Sequence, residues 1–246
     1  MDIYIDCEII QDASFDHVAS LDSLVELEYT TRTPVGRFLP FLKLPHLKRL
    51  QVFSTRLEKL ADLLPHSGHI LLSGATTLSY SCNGDTQEVK LSGKGFNASF
   101  RIHGNRADII SAEWFSDEKH LPFGQIEEVG FTGSDILDFP IHLFKNAKKY
   151  RAISWDGPIA ESAFPSLCPC PGAGVPCPSL RVIEYAPDLQ YSSPESCLRP
   201  LINLARERER AGYRLELLEV MTFEQLDPYF EEELRKHVGE FRVCIS

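Results

Sequence analysis

Cys168, Cys170 and Cys177 are the residues best placed to do chemistry. They share the proline- and glycine-rich stretch Cys168-Pro-Cys-Pro-Gly-Ala-Gly-Val-Pro-Cys177-Pro. With Cys197 or a histidine as fourth ligand, three thiolates could hold zinc, because soft tetrahedral sites favour that ion. The spacing Cys-x-Cys-x6-Cys lacks the paired Cys-x-x-Cys knuckles of structural zinc sites, and the prolines restrict how thiolates converge. Nothing cationic lies near in sequence to depress a thiol pKa, as a redox-active or nucleophilic cysteine requires. Residues 168–178 therefore read as a surface loop of ordinary thiols. A zinc-dependent or hydrolytic enzyme using this loop is the alternative.

Other catalytic patterns fail. There is no Gly-x-Ser-x-Gly, His-Glu-x-x-His or dinucleotide fingerprint. Ser92-Gly-Lys-Gly95 fails as a phosphate-binding loop, which needs glycine where Glu88 stands and Ser or Thr where Gly95 stands. The eight histidines are scattered; the closest pair, His66 and His69, flanks a turn. No catalytic residue, metal or cofactor is assigned, and the chain is read as a non-enzyme.

The elements that carry these residues follow a short recurring unit, Leu-x-x-Leu-x-apolar. It appears as Leu24-Val-Glu-Leu27-Glu-Tyr29, Leu47-Lys-Arg-Leu50-Gln-Val52 and Ile126-Glu-Glu-Val129-Gly-Phe131. It continues as Tyr150-Arg-Ala-Ile153-Ser-Trp155, Leu180-Arg-Val-Ile183-Glu-Tyr185 and Leu215-Glu-Leu-Leu218-Glu-Val220. Ile3-Tyr-Ile5 and Val238-Gly-Glu-Phe241-Arg-Val243 fit the same frame. The final apolar positions are 5, 29, 52, 131, 155, 185, 220 and 243, and four of their intervals are 23 or 24 residues. That is a leucine-rich-repeat period. Alternation inside each unit is what a strand requires, since neighbouring side chains point to opposite faces.

Between the units, Ser193 to Gly212 reads as a helix, with Ser and Pro at its start and a glycine stop. Leu198, Leu201, Ile202 and Ala205 fall on one of its faces. Its tail, Arg206-Glu-Arg-Glu-Arg210, reads as a solvated end with mixed-sign pairs. Ala107–Glu118 and Pro228–His237 are two further helix candidates. Residues 70–104 instead alternate in short runs, with Asn83-Gly84 as a hairpin signal, and form a small antiparallel strand insertion. Phe164-Pro-Ser-Leu167 and Cys177-Pro-Ser-Leu180 look like two copies of one phrase that leads into a strand.

Composition narrows the function further. With 35 acidic against 25 basic side chains the formal net charge is -10, which disfavours nucleic acid and favours a basic protein partner. No apolar run reaches the roughly 18 residues a membrane span needs. The opening MDIYIDCEIIQD is acidic where a signal peptide is basic, so a cytoplasmic or nuclear location is expected. The seven cysteines are then reduced thiols.

Pro178-Ser-Leu-Arg-Val-Ile-Glu-Tyr185, Leu44-Pro-His-Leu-Lys-Arg-Leu50 and Arg208-Glu-Arg-Ala-Gly-Tyr-Arg-Leu-Glu-Leu-Leu218 resemble the leucine-rich half of fungal F-box proteins. So does the layout of Leu198–Ile245: a charged helix ending in glycine, a strand, an acidic helix and a last strand. The strand insertion followed by Ile109–Phe131 resembles that family's interrupted central repeats. The resemblance implies a substrate receptor of a cullin-type ubiquitin ligase. Residues 1–20 offer no helical F-box, so the adaptor of such a ligase is a partner only if an F-box lies upstream.

The resulting expectation is one α/β domain over 1–246, an irregular leucine-rich-repeat solenoid. Its curved parallel sheet lies on the concave side and its helices and loops on the convex side. Tyr29, Val52, Phe131, Trp155, Tyr185 and Val220 plug the core. Residues between core positions face out, and the partner-binding set is Glu26, Glu28, Arg49, Gln51, Glu128, Ser154, Asp156, Glu184, Glu219 and Arg242. With Asp2, Asp6 and Glu240 this face is read as acidic. The function expected is non-catalytic protein recognition; an inert truncated fragment, with an apolar first strand at Ile3 and Ile5, is a further alternative.

Overall fold

A computed structural model describes residues 19–31, 42–54, 74–103, 123–133, 144–153 and 159–245, the last stretch without 171, 173, 188, 190 and 191. The strand at Ile3–Ile5, Asp2, Asp6, the histidines at 66 and 69, the helix proposed for Ala107–Glu118, and Ser154, Trp155 and Asp156 lie outside the described residues. The chain is α/β, and it forms two compact units, Met1–Gln125 and Ile126–Ser246.

In the first unit, β1 (Ala19–Ser20) and β3 (Leu42–Lys43) make a short parallel pair. β2 (Glu26–Thr31) and β4 (Arg49–Ser54) also run parallel, with Leu27 opposite Leu50 and Tyr29 opposite Val52. The expected antiparallel insertion is present as β5 (Ala75–Asn83), β6 (Thr86–Gly93) and β7 (Phe96–His103). Gly84 turns the first hairpin with φ 58°, and Gly95 turns the second with φ 78°. The Ser92-Gly-Lys-Gly95 segment is thus the tip of a hairpin. β7 returns parallel to β4, placing Ala98 beside Leu50 and Phe100 beside Val52. Cross-strand register carries the same inward row through Phe100, Val89 and Tyr80, all of them buried.

The second unit repeats one local geometry. Its parallel strands are β8 (Glu128–Gly133), β9 (Lys149–Ile153), β10 (Val182–Ala186), β11 (Leu215–Thr222) and β12 (Val238–Ile245), adjacent in chain order. Before β9 and β10 the chain makes a tight turn, with the Ala147 amide donating to the Phe144 carbonyl (3.0 Å) and Leu180 to Cys177 (3.0 Å). The turns before β2 and β4 are built the same way, from Leu24 to Leu21 and from Leu47 to Leu44. Apolar side chains at both ends of the turns before β4, β9 and β10, then at alternate strand positions, generate the core rows; before β2 Leu24 is buried and Leu21 exposed.

One unit departs from the expected frame. Val129 is opposite Tyr150 and Phe131 opposite Ala152, so the inward pair on β9 is Tyr150 and Ala152 rather than Ile153 and Trp155. Ile153 pairs with Ala186 on the outward side. The frame that fits is Ala147-x-x-Tyr150-x-Ala152, and all three of these are buried. A shift of three residues exchanges the two faces, because strand side chains alternate with period two.

Three α-helices are present among the described residues: α1 (Ile159–Ser166), α2 (Pro194–Arg210) and α3 (Pro228–His237). α2 follows its sequence signals closely. Ser193 caps it by accepting from the Ser196 amide at 3.1 Å, with Pro194 in the first turn. Gly212, at φ 82°, closes it: the Gly212 amide donates to Glu209 and the Tyr213 amide to Arg208. This is the pair of hydrogen bonds that a left-handed glycine makes possible. Leu198, Leu201, Ile202 and Ala205 are buried as expected. α3 starts at Asp227, whose carboxylate accepts from the Tyr229 amide at 2.8 Å.

Phe164-Pro-Ser-Leu167 makes the same turn as its twin, Leu167 to Phe164 at 3.1 Å, but it closes α1 and no strand follows directly. Phe164 is fully buried and meets Tyr185 edge-on, with ring centroids 5.1 Å apart. Tyr150 links Phe164 to Phe131 through centroid distances of 6.4 and 5.3 Å. No described helix is long and apolar enough to cross a membrane.

Close backbone approach at the insertion gives a test. A Cβ on Gly93 would lie 1.8 Å from the Gly74 carbonyl oxygen, so the two segments must separate to admit it. Gly93→Ala should lower unfolding free energy by about 1–3 kcal/mol, the usual range for overpacking, read as a reduced urea midpoint.

Candidate functional site

The outward face of the second unit is built by register. Across its strands one row runs Glu128, Lys149, Val182, Leu217 and Glu240; the next runs Gly130, Arg151, Glu184, Glu219 and Arg242. Glu128, Glu184, Glu219 and Arg242, four of the expected binding residues, therefore stand on one face. The frame shift adds Lys149 and Arg151, which the sequence reading missed. Aligning this unit on Tyr150 and Ala152, both apolar at the right spacing, would have found them.

These two cations change the electrostatics. Glu184 accepts from Lys149 Nζ at 2.5 Å and lies 3.6 Å from Arg151 Nε. Glu184 and Glu219 are direct cross-strand neighbours, an arrangement that costs stability unless cations neutralise it. Lys149 and Arg151 do so from one side; Arg242, in register with Glu219, does so from the other. Arg242 Nε also bonds Glu240 at 2.7 Å. The face is a mixed-charge surface, not a purely acidic one. Val182, Leu217, Ile153, Ala186 and Met221 are half-buried on the same side, so apolar surface lies among the charges.

The first unit presents its own set. Glu26 is opposite Arg49 and Glu28 opposite Gln51, with Glu26 and Arg49 at 4.0 Å. Glu88 on β6 gathers Lys90 at 2.8 Å, Arg101 at 3.2 Å and the Ser99 hydroxyl at 2.7 Å. Burial raises the Glu88 carboxyl pKa, but hydrogen bonds from Lys90 and Ser99 and the charges of Lys90 and Arg101 outweigh it, leaving the pKa below the usual value. Arg101 also lies over the Phe53 ring, 5.1 Å from its centroid.

The cysteine loop is organised around a residue from α2. Arg208, read from sequence as part of a solvated helix end, has 0% exposure. Cys197, Leu201, Leu204 and Arg208 repeat at helical spacing on the buried side, a signal that its charged neighbours obscured. Its guanidinium donates to four backbone carbonyls: Pro176 at 2.9 Å, Cys177 at 3.1 Å, and Leu167 and Leu180 at 3.4 Å. Prolines 165, 169, 171, 176 and 178 supply carbonyls but no amide hydrogens. The loop therefore has an excess of acceptors, and an arginine with five donors and no acceptor balances it.

The thiols sit unevenly around that clamp. Cys170 is exposed and Cys168 half-buried, whereas Cys177 and Cys197 are buried. Burial pushes the Cys177 thiol up to about 11, against the opposing pull of Arg208. Burial also raises Cys168, with help from Glu207 and Cys170. Arg208 is the cation that sequence proximity did not reveal, yet desolvation dominates, and both thiols are less acidic than free cysteine. Among the described residues no group of three or more His, Cys, Asp or Glu side chains is placed to hold a metal ion.

Comparisons with protein-family profiles, curated proteins and solved structures give no match. Geometry therefore carries the functional reading.

Two measurements test the clamp. Arg208→Met should remove a donor from four backbone carbonyls and cost about 3 kcal/mol, with faster proteolysis within 168–178. Arg208→Lys should recover little, since a compact ammonium lacks the planar fork. The second measurement is pH dependence. The folded Cys177 pKa of about 11 exceeds the ordinary 9, so the native state keeps a proton that the unfolded chain releases. This contribution is fully present below pH 9 and is lost as pH rises toward 11, amounting to roughly 2–3 kcal/mol. Cys177→Ala should flatten the fall in denaturation midpoint over that interval.

Proposed function

We propose that the chain is a non-catalytic protein-recognition module that binds a protein target on the outward face of its parallel strands. The carrying observation is that face itself. Parallel strands are ordinarily covered on both sides. In the second unit one side packs the apolar core, while the other leaves Glu128, Arg151, Glu240 and Arg242 exposed around half-buried Val182 and Leu217. Apolar surface ringed by charge is the composition of a binding patch. The resemblance to the leucine-rich half of F-box proteins supports the same reading and makes the target a substrate presented for ubiquitin transfer. Adaptor binding would belong to an F-box encoded upstream.

The charge pattern refines the partner. Lys149 and Arg151 neutralise part of the acidic set, so a target complementary to this face carries basic side chains toward Glu219 and Glu240 and acidic ones toward Arg151. Binding weakens as salt rises, because these charges are exposed and screened.

A double charge reversal with an apolar break, Glu219→Lys, Arg151→Glu and Leu217→Asp, should remove at least ten-fold of the affinity for proteins captured by the wild-type chain. Arg199→Glu, on the exposed side of α2, should leave the captured set unchanged. Equal capture by the face variant and the wild-type chain, quantified by mass spectrometry at matched folding, would remove this reading.

A further inference from the structure

β12 is the end strand of the second unit's sheet, and among the described residues it pairs only with β11. Its register with β11 is unbroken from Val238 to Ile245. In a parallel strand every second residue points its amide and carbonyl away from the neighbour, and no other described strand pairs with those groups of β12. Natural edges are usually blunted by proline, charged side chains, bulges or short length. Val238-Gly-Glu-Phe-Arg-Val-Cys-Ile245 is eight residues long, holds one register and has no proline, and its two charges, Glu240 and Arg242, are of opposite sign.

We infer that β12 is a self-complementary docking edge, and that its occupant is β12 of a second copy of this chain, added antiparallel about a two-fold axis at Phe241. The sequence around that residue is Glu240-Phe241-Arg242. With Phe241 opposite its own counterpart, Glu240 of each copy lies directly opposite Arg242 of the other. Both pairs fall on the outward face, where Glu240 and Arg242 are exposed and already oriented side by side at 2.7 Å. Two isologous ion pairs result from one local pattern, as a two-fold interface requires. Opposite charges placed directly across antiparallel strands are favourable, and like charges are not.

The first unit shows the contrasting case. β2 is the end strand of its sheet order and has the sequence Glu-Leu-Glu-Tyr-Thr-Thr. The same antiparallel operation about Leu27 would put Glu26 against Glu28 in both pairs. That edge repels its own copy, whereas β12 attracts it.

Charge exchange gives the test, with sedimentation equilibrium of the whole chain as readout. The wild-type chain should dimerise. Arg242→Glu places glutamates at both positions and Glu240→Arg places arginines at both, so each variant alone should dissociate about 10- to 100-fold more readily. An equimolar mixture of the two should recover dimer, because every cross-strand pair is again of opposite sign. The double exchange, Glu240→Arg with Arg242→Glu, should dimerise like the wild type. Loss of fold would not be repaired by mixing, and circular dichroism of each variant checks it independently. A monomeric wild-type chain, undiminished dimer in either single variant, or a mixture that stays monomeric would each overturn the proposal; a strand from a different protein at this edge would appear as the first of these outcomes.

Discussion

β2, β8, β9 and β10 each start from a carbonyl that accepts two amides from the neighbouring parallel strand, and the remaining structure depends on that shared bond. The Glu127 carbonyl accepts from Lys148 (2.7 Å) and Lys149 (3.1 Å); Lys148 accepts from Arg181 and Val182; Arg181 accepts from Glu216 and Leu217. In the first unit, Val25 accepts from Lys48 and Arg49 in the same way. Every acceptor sits two residues before the first inward strand position. The ladder therefore holds successive strands at one register, and register decides which side chains are core and which are surface. Side chains reinforce it at the same positions: Lys148 bonds Glu127 at 2.7 Å and Arg181 approaches Glu216 at 3.5 Å. These exposed pairs are individually worth little; their contribution is to agree with the backbone.

The fold was legible in sequence where local chemistry and periodicity agreed. Ser193, Pro194 and Gly212 bounded α2, Pro228 marked α3, and Asn83-Gly84 located a hairpin. The inward pairs Leu27 with Tyr29, Leu50 with Val52, Ile183 with Tyr185 and Leu218 with Val220 also emerged directly. The β9 frame did not, because Tyr150-Arg-Ala-Ile-Ser-Trp155 satisfies two registers. Bulky Ile153 and Trp155 drew the pattern away from Ala147 and Ala152, whose small side chains give weak hydrophobic signal. Core volume at these positions is supplied instead by Phe131, Tyr150 and Phe164, and the last comes from a helix.

That misplacement propagated to the candidate site. With Ile153 turned inward, Ser154 and Asp156 became surface residues and the face looked acidic. With Tyr150 and Ala152 inward, Lys149 and Arg151 come to the surface beside Glu184. A three-residue ambiguity in apolar pattern thus becomes a change in the charge of a binding surface. Net charge of -10 could not warn of it, since overall balance says nothing about which side chains share a face.

Arg208 joins the irregular loop to this regular ladder. Burial of a guanidinium is costly and lowers its pKa, so it persists only where donors are needed. The proline-rich loop creates that need by presenting carbonyls without amides. One of the four acceptors is Leu180, the residue immediately before Arg181, whose carbonyl receives the start of β11. The same side chain therefore fixes the loop, the end of α2 and the approach to β10. A cysteine- and proline-rich segment that suggested metal or thiol chemistry is explained by hydrogen-bond supply: its buried thiol is protonated, and its backbone oxygens carry the function of holding the helix layer against the strands.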